Sequence, residues 1–163
     1  MPADAPAYRA LRLRGLTEHP DAFTSSAEDE AKRPLAATEA RIAPESPDAV
    51  YGAFAAHALA GIIGLAREAR AKSRHKATVF GMYVAPEFGR RGVGRALIRH
   101  LLAIAQREPG LEQLELTVTH TNDAARKLYE SEGFRSFGIE PRAIRVAGRY
   151  YDKNHMVRFL DRP

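Results

Sequence analysis

Cysteine is absent from this 163-residue chain. Its absence excludes a disulfide framework, a thiolate metal site and a cysteine nucleophile, and it fits a reducing compartment. The six histidines show no His-Glu-x-x-His or other ligand spacing, so no metal is expected. No apolar run approaches the roughly 20 residues that a membrane-spanning helix needs. The opening Met1-Pro2-Ala3-Asp4-Ala5-Pro6-Ala7-Tyr8 lacks the basic and apolar regions of a signal peptide. Internal repeats, low-complexity tracts and linkers are also missing. Residues 1–163 are therefore expected to form one domain, cytoplasmic and without membrane contact.

A formal charge of +5 invites the question of a nucleic-acid partner, and its distribution argues against one. Residues 1–50 carry six Lys/Arg against nine Asp/Glu, residues 51–110 carry ten against three, and residues 111–163 carry nine against eight. The excess sits mid-chain around a glycine-rich segment. A nucleic-acid face more often shows a basic helix or tail with interleaved aromatics. A pocket for a small polyanion fits the pattern better.

Apolar periodicity outlines the elements. Tyr8 to Glu18 reads as a helix, with Asp4 as a candidate N-cap and Pro20 as a stop. Residues 25–42 read as a second, acidic helical region interrupted at Pro34. Val50–Ala56 and Leu59–Glu68 form an expected hairpin split at His57-Ala58, and Ala77–Val84 is a third strand. Val93, Leu97, Leu101 and Ala105 recur at i, i+4 with Ile98 and Leu102 beside them, which gives a helix with one buried stripe. Leu114, Leu116 and Val118 alternate with Glu115, Thr117 and Thr119 as a strand. Asp123 to Glu132 is a short helix closed by Gly133. Phe134–Ile139 and His155–Leu160 are expected strands joined by a long loop containing Pro141 and Gly148. The order predicts an α/β fold: a mixed sheet with helices on both faces.

Phe80 to Leu97 reads Phe-Gly-Met-Tyr-Val-Ala-Pro-Glu-Phe-Gly-Arg-Arg-Gly-Val-Gly-Arg-Ala-Leu. A strand stops at Pro86, passes Gly89, Gly92 and Gly94, and opens into a helix. Glycines there let backbone N–H groups crowd around an anion, and the helix N-terminus adds positive charge. Arg90, Arg91 and Arg95 flank this cradle. It is not a P-loop, because Arg95-Ala96 stands where Lys-Ser/Thr is required. It is not a dinucleotide fingerprint either, because Leu97 stands where a small residue is required.

A second constellation runs Thr121-Asn122-Asp123-Ala124-Ala125-Arg126-Lys127-Leu128-Tyr129-Glu130-Ser131-Glu132-Gly133-Phe134. Taken alone, Asn122 reads as a helix cap and Tyr129 as a core aromatic. Together with the Met82-Tyr83-Val84-x-Pro86 strand end and the glycine loop, the segment resembles the GCN5-related N-acetyltransferases over roughly residues 50–160.

That resemblance implies a single-domain, mostly antiparallel twisted sheet and transfer of acetyl from acetyl-CoA to an amine, with the CoA-binding core at about 77–135. It also implies that the backbone of Arg90, Arg91, Gly92, Val93, Gly94 and Arg95 holds the CoA pyrophosphate. Met82, Tyr83 and Val84 would pair with the pantetheine arm as an added strand. Asn122 would hydrogen-bond that arm, and Tyr129 would protonate the departing sulfur. The chain departs from the family pattern at Gly89, where Arg or Gln is usual. Relatives usually have a strand before the first helix, whereas the sequence given starts at Met1-Pro2-Ala3-Asp4, almost at that helix, so the expectation is either an absent first strand or a shortened start.

Direct attack by a neutral amine needs no nucleophilic Cys or Ser. Deprotonating the incoming ammonium needs a base, and Glu115, acting through water, is the first candidate, with Asp152 and His155 beside it. All three are equally readable as ordinary surface or loop residues. The acceptor site is expected to border Glu28-Asp29-Glu30 and the Pro141–Asp152 segment with Tyr150 and Tyr151, walls that would suit a cationic amine. A homodimer through exposed C-terminal strands is compatible with the pattern. The competing function is a non-catalytic acyl-CoA-binding or regulatory module.

Overall fold

The computed structural model describes residues 1–160. Among them a short 3-10 turn leads into α1 (Ala5–Glu18), followed by α2 (Ala27–Lys32) and α3 (Leu35–Ile42). Ser26 caps α2 by accepting the Asp29 N–H at 3.0 Å. Arg33-Pro34 divides the expected 25–42 helical region into these two short helices, because proline cannot continue a helix from within. The strands are β1 (Asp48–Ala55), β2 (Ala58–Arg67), β3 (Lys76–Val84), β4 (Gln113–Thr119), β5 (Arg135–Val146) and β6 (Arg149–Phe159). Between them lie α4 (Val93–Ala105) and α5 (Asp123–Ser131). No described strand precedes α1, and β1 lies at one edge of the sheet. No described helix is long and apolar enough to cross a membrane.

The six strands form one sheet in the order β1-β2-β3-β4-β6-β5. All neighbours are antiparallel except β3 and β4, which run parallel and pair only at Lys76–Gln113, Ala77–Leu114 and Thr78–Glu115. Beyond that point the two strands part. β3 keeps pairing with β2, while β4 pairs with β6 along its whole length. The register of β3 on β2 slips between Ile62 and Gly64, opposite a bulge where Gly81 takes a left-handed φ of 64°.

One face of the sheet carries α4 and α5. Leu97, Ile98, Leu101 and Ala105 bury the stripe of α4 against Ile63, Leu65, Leu114 and Leu116. The opposite face carries α1, whose Tyr8 and Leu11 pack on Ile62 and Tyr83. This is the layered α/β architecture that the sequence order predicts.

The C-terminal strands differ from expectation. In place of a long loop, β5 and β6 form a hairpin joined by Ala147-Gly148, both at positive φ, the geometry of a tight two-residue turn. Pro141 is accommodated because β5 is an edge strand whose register slips between Glu140 and Ile144. At that slip the Arg142 N–H donates to Asp152 Oδ1 at 2.8 Å. The first hairpin turns at Ala56-His57, one residue before the expected split.

Gly15 of α1 rests on the ring of Tyr83. A Cβ there would lie 2.8 Å from Tyr83 Cγ, and the ring is held by the Tyr83 hydroxyl donating to Glu18 Oε2 at 2.5 Å. Gly15→Ala should therefore push α1 off β3 and destabilise the fold by about 1–3 kcal/mol. The check is a thermal melt, with a Tm drop of roughly 3–10 °C expected.

Candidate active site

The parting of β3 and β4 opens a cleft of about 520 Å³ lined by Met82 of β3, Thr117 and Thr119 of β4, and Asn122, Ala125 and Tyr129 at α5. A second hollow of about 630 Å³ shares Met82, Asn122 and Ala125 with it and continues past Val84 to Gly92, Gly94 and Arg95. Together they form one continuous trough from the sheet centre to the N-terminus of α4.

At the far end the backbone turns sharply. Arg90 and Gly92 take left-handed φ values of 59° and 78°, and Gly92 is the N-cap of α4. The first-turn amides of a helix have no intrahelical acceptor, so those of Val93, Gly94 and Arg95 are donors for an anion. A Cβ on Gly92 would meet nothing within 4 Å, so its glycine answers to conformation and not to crowding. Gly94 is different. A Cβ there would stand 3.3 Å from Leu128 and 3.7 Å from Val84, where α4 approaches α5 and β3. The cradle thus fits a pyrophosphate held by main-chain N–H groups.

The arginines contribute unequally. Arg90 and Arg95 line the trough, but the Arg95 side chain is also tethered to Glu132 at 3.2 Å. Glu132 is nearly buried and also pairs with Arg99 at 3.0 Å, tying α4 to the end of α5. Arg91 is not brought to the trough, and its guanidinium lies 6.0 Å above the Phe88 ring.

Past Thr78, the β3 edge facing β4 has no strand partner, which leaves main-chain groups around Met82–Val84 available to an extended ligand. The Tyr83 side chain points the other way, into the α1 layer, and its phenol is pushed up to about 12, first by burial and then by its bond to Glu18. Asn122 caps α5, its Oδ1 accepting the Ala125 N–H at 3.1 Å, while it also lines both hollows. Its capping and site readings are compatible. Tyr129 is 8% exposed, its ring edge-on to Phe134, and its hydroxyl donates to Met82 Sδ at 3.7 Å. Burial pushes its phenol well above the ordinary range.

The acetyltransferase (GNAT) family matches residues 13–134. The chain belongs to that family. The chain is 44% identical over 64 residues to the ribosomal protein bS18-alanine N-acetyltransferase of Escherichia coli K12, covering 39% of this chain and 43% of that one. It is 38% identical over 97 residues to the N-alpha-acetyltransferase RimI of Mycobacterium tuberculosis, covering 60% and 58%. The chain thus spans less than two thirds of the length of either curated relative. The crystal structure of a GNAT acetyltransferase from Streptococcus pneumoniae superposes with a TM-score of 0.86 at 24% identity, covering 99% and 96% of the two chains.

In this GNAT fold the expected bases lie elsewhere. Glu115 pairs with Lys76 at 2.9 Å and accepts from Gln113 Nε2, before the strands part, in a separate hollow beside Phe137 and Phe159. Asp152 serves the β5 irregularity, and His155 pairs with Glu140 at 3.0 Å on the β5–β6 hairpin. None of the three lines the trough, because Glu115 lies where β3 and β4 are still paired and β6 runs along the other edge of β4. The acidic run is likewise absent from its walls: Glu28 pairs with Lys32, and Glu30 is buried near Arg12. Tyr150 and Tyr151 lie under arginines of the hairpin.

The structure brings in residues that the motif reading passed over. Arg12, Phe23, Arg41 and Phe80 line the inner cleft. A signal for Arg12 exists, since it stands at i+4 from Tyr8 on the stripe that also buries Leu11, Gly15 and Leu16. A charge on a core stripe marks a buried site.

Gly92→Ala should cost about 1–2 kcal/mol of left-handed strain at the cradle. Calorimetry is expected to show acetyl-CoA affinity about tenfold weaker, and a thermal melt a Tm lower by roughly 2–8 °C, since the folded state carries the strain.

Proposed function

We propose that this protein transfers acetyl from acetyl-CoA directly to a primary amine of a small molecule or peptide, in a ternary complex, with Tyr129 as the general acid. The observation that carries this reading is the Tyr129 hydroxyl, buried in the trough beside the thioether of Met82. A group donating to one soft sulfur there has the chemistry to donate to another.

The cradle at Gly92–Arg95 supports placement of the CoA pyrophosphate, and the free edge of β3 supports an extended pantetheine arm ending near Tyr129. The amine nitrogen attacks the thioester carbonyl carbon, so a C–N bond forms and the C–S bond breaks. The Tyr129 O–H gives its proton to the departing sulfur. The excess proton on nitrogen leaves to water, which restores the phenol, and the products are the N-acetyl amine and CoA thiol. Charge developing on the carbonyl oxygen is met by a main-chain N–H of the free β3 edge near Val84. The names of the relatives, which specify a ribosomal protein alanine and an N-terminal α-amine, support an amine acceptor.

The raised Tyr129 pKa sets the sign of the pH dependence. The protonated phenol is the working form, and burial keeps it protonated through neutral and alkaline pH. Turnover should therefore show no loss from Tyr129 ionisation below about pH 10. A free-thiol assay across pH checks this, and an alkaline fall that disappears in Tyr129→Phe would count against it. Tyr129→Phe itself should lower kcat by about 100-fold or more, with the KM for acetyl-CoA within about threefold of the parent. Full activity in that variant would remove the assigned role. Acetyl-CoA binding without transfer to any amine would favour a non-catalytic module.

A further inference from the structure

Two guanidinium groups face the inner cleft without the partners that buried arginines ordinarily have. Arg12 is 6% exposed, and both Arg12 Nε and Arg41 Nε are buried with no hydrogen-bond partner. Each stands over an aromatic ring instead: Arg12 Cζ is 5.2 Å from the Phe23 centroid, and Arg41 Cζ is 5.0 Å from the Phe80 centroid. Among the described residues neither guanidinium is in an ion pair. Tyr8, Glu30 and Arg33 are the titratable neighbours that Arg12 feels besides Arg41, Asp48 lines the same cleft, and burial lowers the Arg12 pKa more than any neighbour alters it. Leaving such donors unmet is costly, and stacking on a ring does not satisfy an N–H.

Their position relative to the chemistry is defined. Arg12 Nη1 lies 3.3 Å from where a Cβ on Gly81 would stand, so the guanidinium covers the bulge of β3. Met82, the next residue, receives the Tyr129 hydroxyl. Neighbouring residues of a strand point to opposite faces, so Arg12 over Gly81 and Tyr129 at Met82 approach β3 from its two sides, and all of them line the same cleft. A ligand filling that cleft presents an anion to the arginines and an amine toward Tyr129.

We propose that Arg12 and Arg41 form a carboxylate-binding subsite, and that the acceptor is a free α-amino acid. A carboxylate offers the planar, bidentate acceptor that a guanidinium fork matches. A peptide N-terminus places a neutral amide carbonyl at the same distance from its amine and leaves the pair unneutralised. Polyamines and other cationic acceptors are repelled. The same two charges disfavour a third cation nearby, so they lower the pKa of the incoming ammonium and help to present it as the neutral nucleophile. This replaces the role expected of an acidic wall and rests on the acetyltransferase reading above.

The test has two readouts. CoA release is measured with the twenty common L-amino acids, their C-terminal amides, an Ala-initiated hexapeptide and spermidine. In parallel, calorimetry on the CoA-loaded protein compares N-acetyl amino acids with N-acetyl amino-acid amides, which needs no turnover. The best amino acid is expected to exceed its amide by about 100-fold in kcat/KM, and its N-acetyl product to bind at least about tenfold more tightly than the N-acetyl amide. Arg41→Gln should erase most of both preferences while acetyl-CoA affinity stays within about twofold. Arg12→Lys, which keeps the buried charge and loses the fork, should reduce them by about tenfold. Amides, hexapeptide or spermidine accepted as well as the acids would overturn the subsite and leave the transferase reading standing. A carboxylate preference in binding with no CoA release would support the subsite and overturn the transferase reading. Equal binding of acids and amides with no release would overturn both.

Discussion

Everything at the candidate site depends on two parallel strands that pair for three residues and then separate. A parallel pair is held by slanted main-chain bonds and competes with whatever else each strand can join. Here β4 finds seven antiparallel partners on β6, while β3 remains on β2 through a bulge at Gly81. The divergence leaves one strand edge unpaired inside the protein, and it sets the N-termini of α4 and α5 at the mouth of the opening. An unpaired interior edge is tolerated where an extended ligand completes it.

Keeping the opening from collapsing takes buried polar contacts. Lys153 of β6, only 3% exposed, donates to Thr119 Oγ1 and to the carbonyls of Asp21 and Ala22, and the Thr119 hydroxyl donates to the same Asp21 carbonyl. These bonds pin the segment after α1 across the end of β4 and set Phe23 beside Arg12. On the other face, Glu132 collects Arg95 and Arg99, so the helix carrying the anion cradle and the helix carrying Tyr129 are held together. Losing the Thr119 hydroxyl would leave the buried Lys153 ammonium short of an acceptor, and losing both arginines would leave the buried Glu132 carboxylate unpaired.

Much of this was legible from residue patterns. The 3.6 period of α4, the alternation in β4 and the cap at Asn122 each report a local rule that the tertiary structure obeys. The β5–β6 hairpin was not legible, because Pro141 reads as a break and becomes tolerable only on an edge strand with a register slip. Glu115 illustrates the opposite failure. It sits on the right strand and the right face for a base, yet two residues too early, on the side where β3 and β4 are still joined and Lys76 takes its charge. Strand register against a sequence-distant neighbour decides that, and no local signal carries it.

The sequence by itself determined the chemistry on offer: a glycine turn opening a helix, a capped second helix with a tyrosine, and no thiol. Short-range spacing suffices for these, since caps, turns and stripes involve residues a few positions apart. Only the tertiary structure decided which groups share the cleft. Arg12 and Arg41 lie on separate helices, and Met82 and Tyr129 are 47 residues apart. Their meeting follows from the strand divergence and from the packing of α1 against the sheet, because burial and charge pairing are properties of the assembled layers.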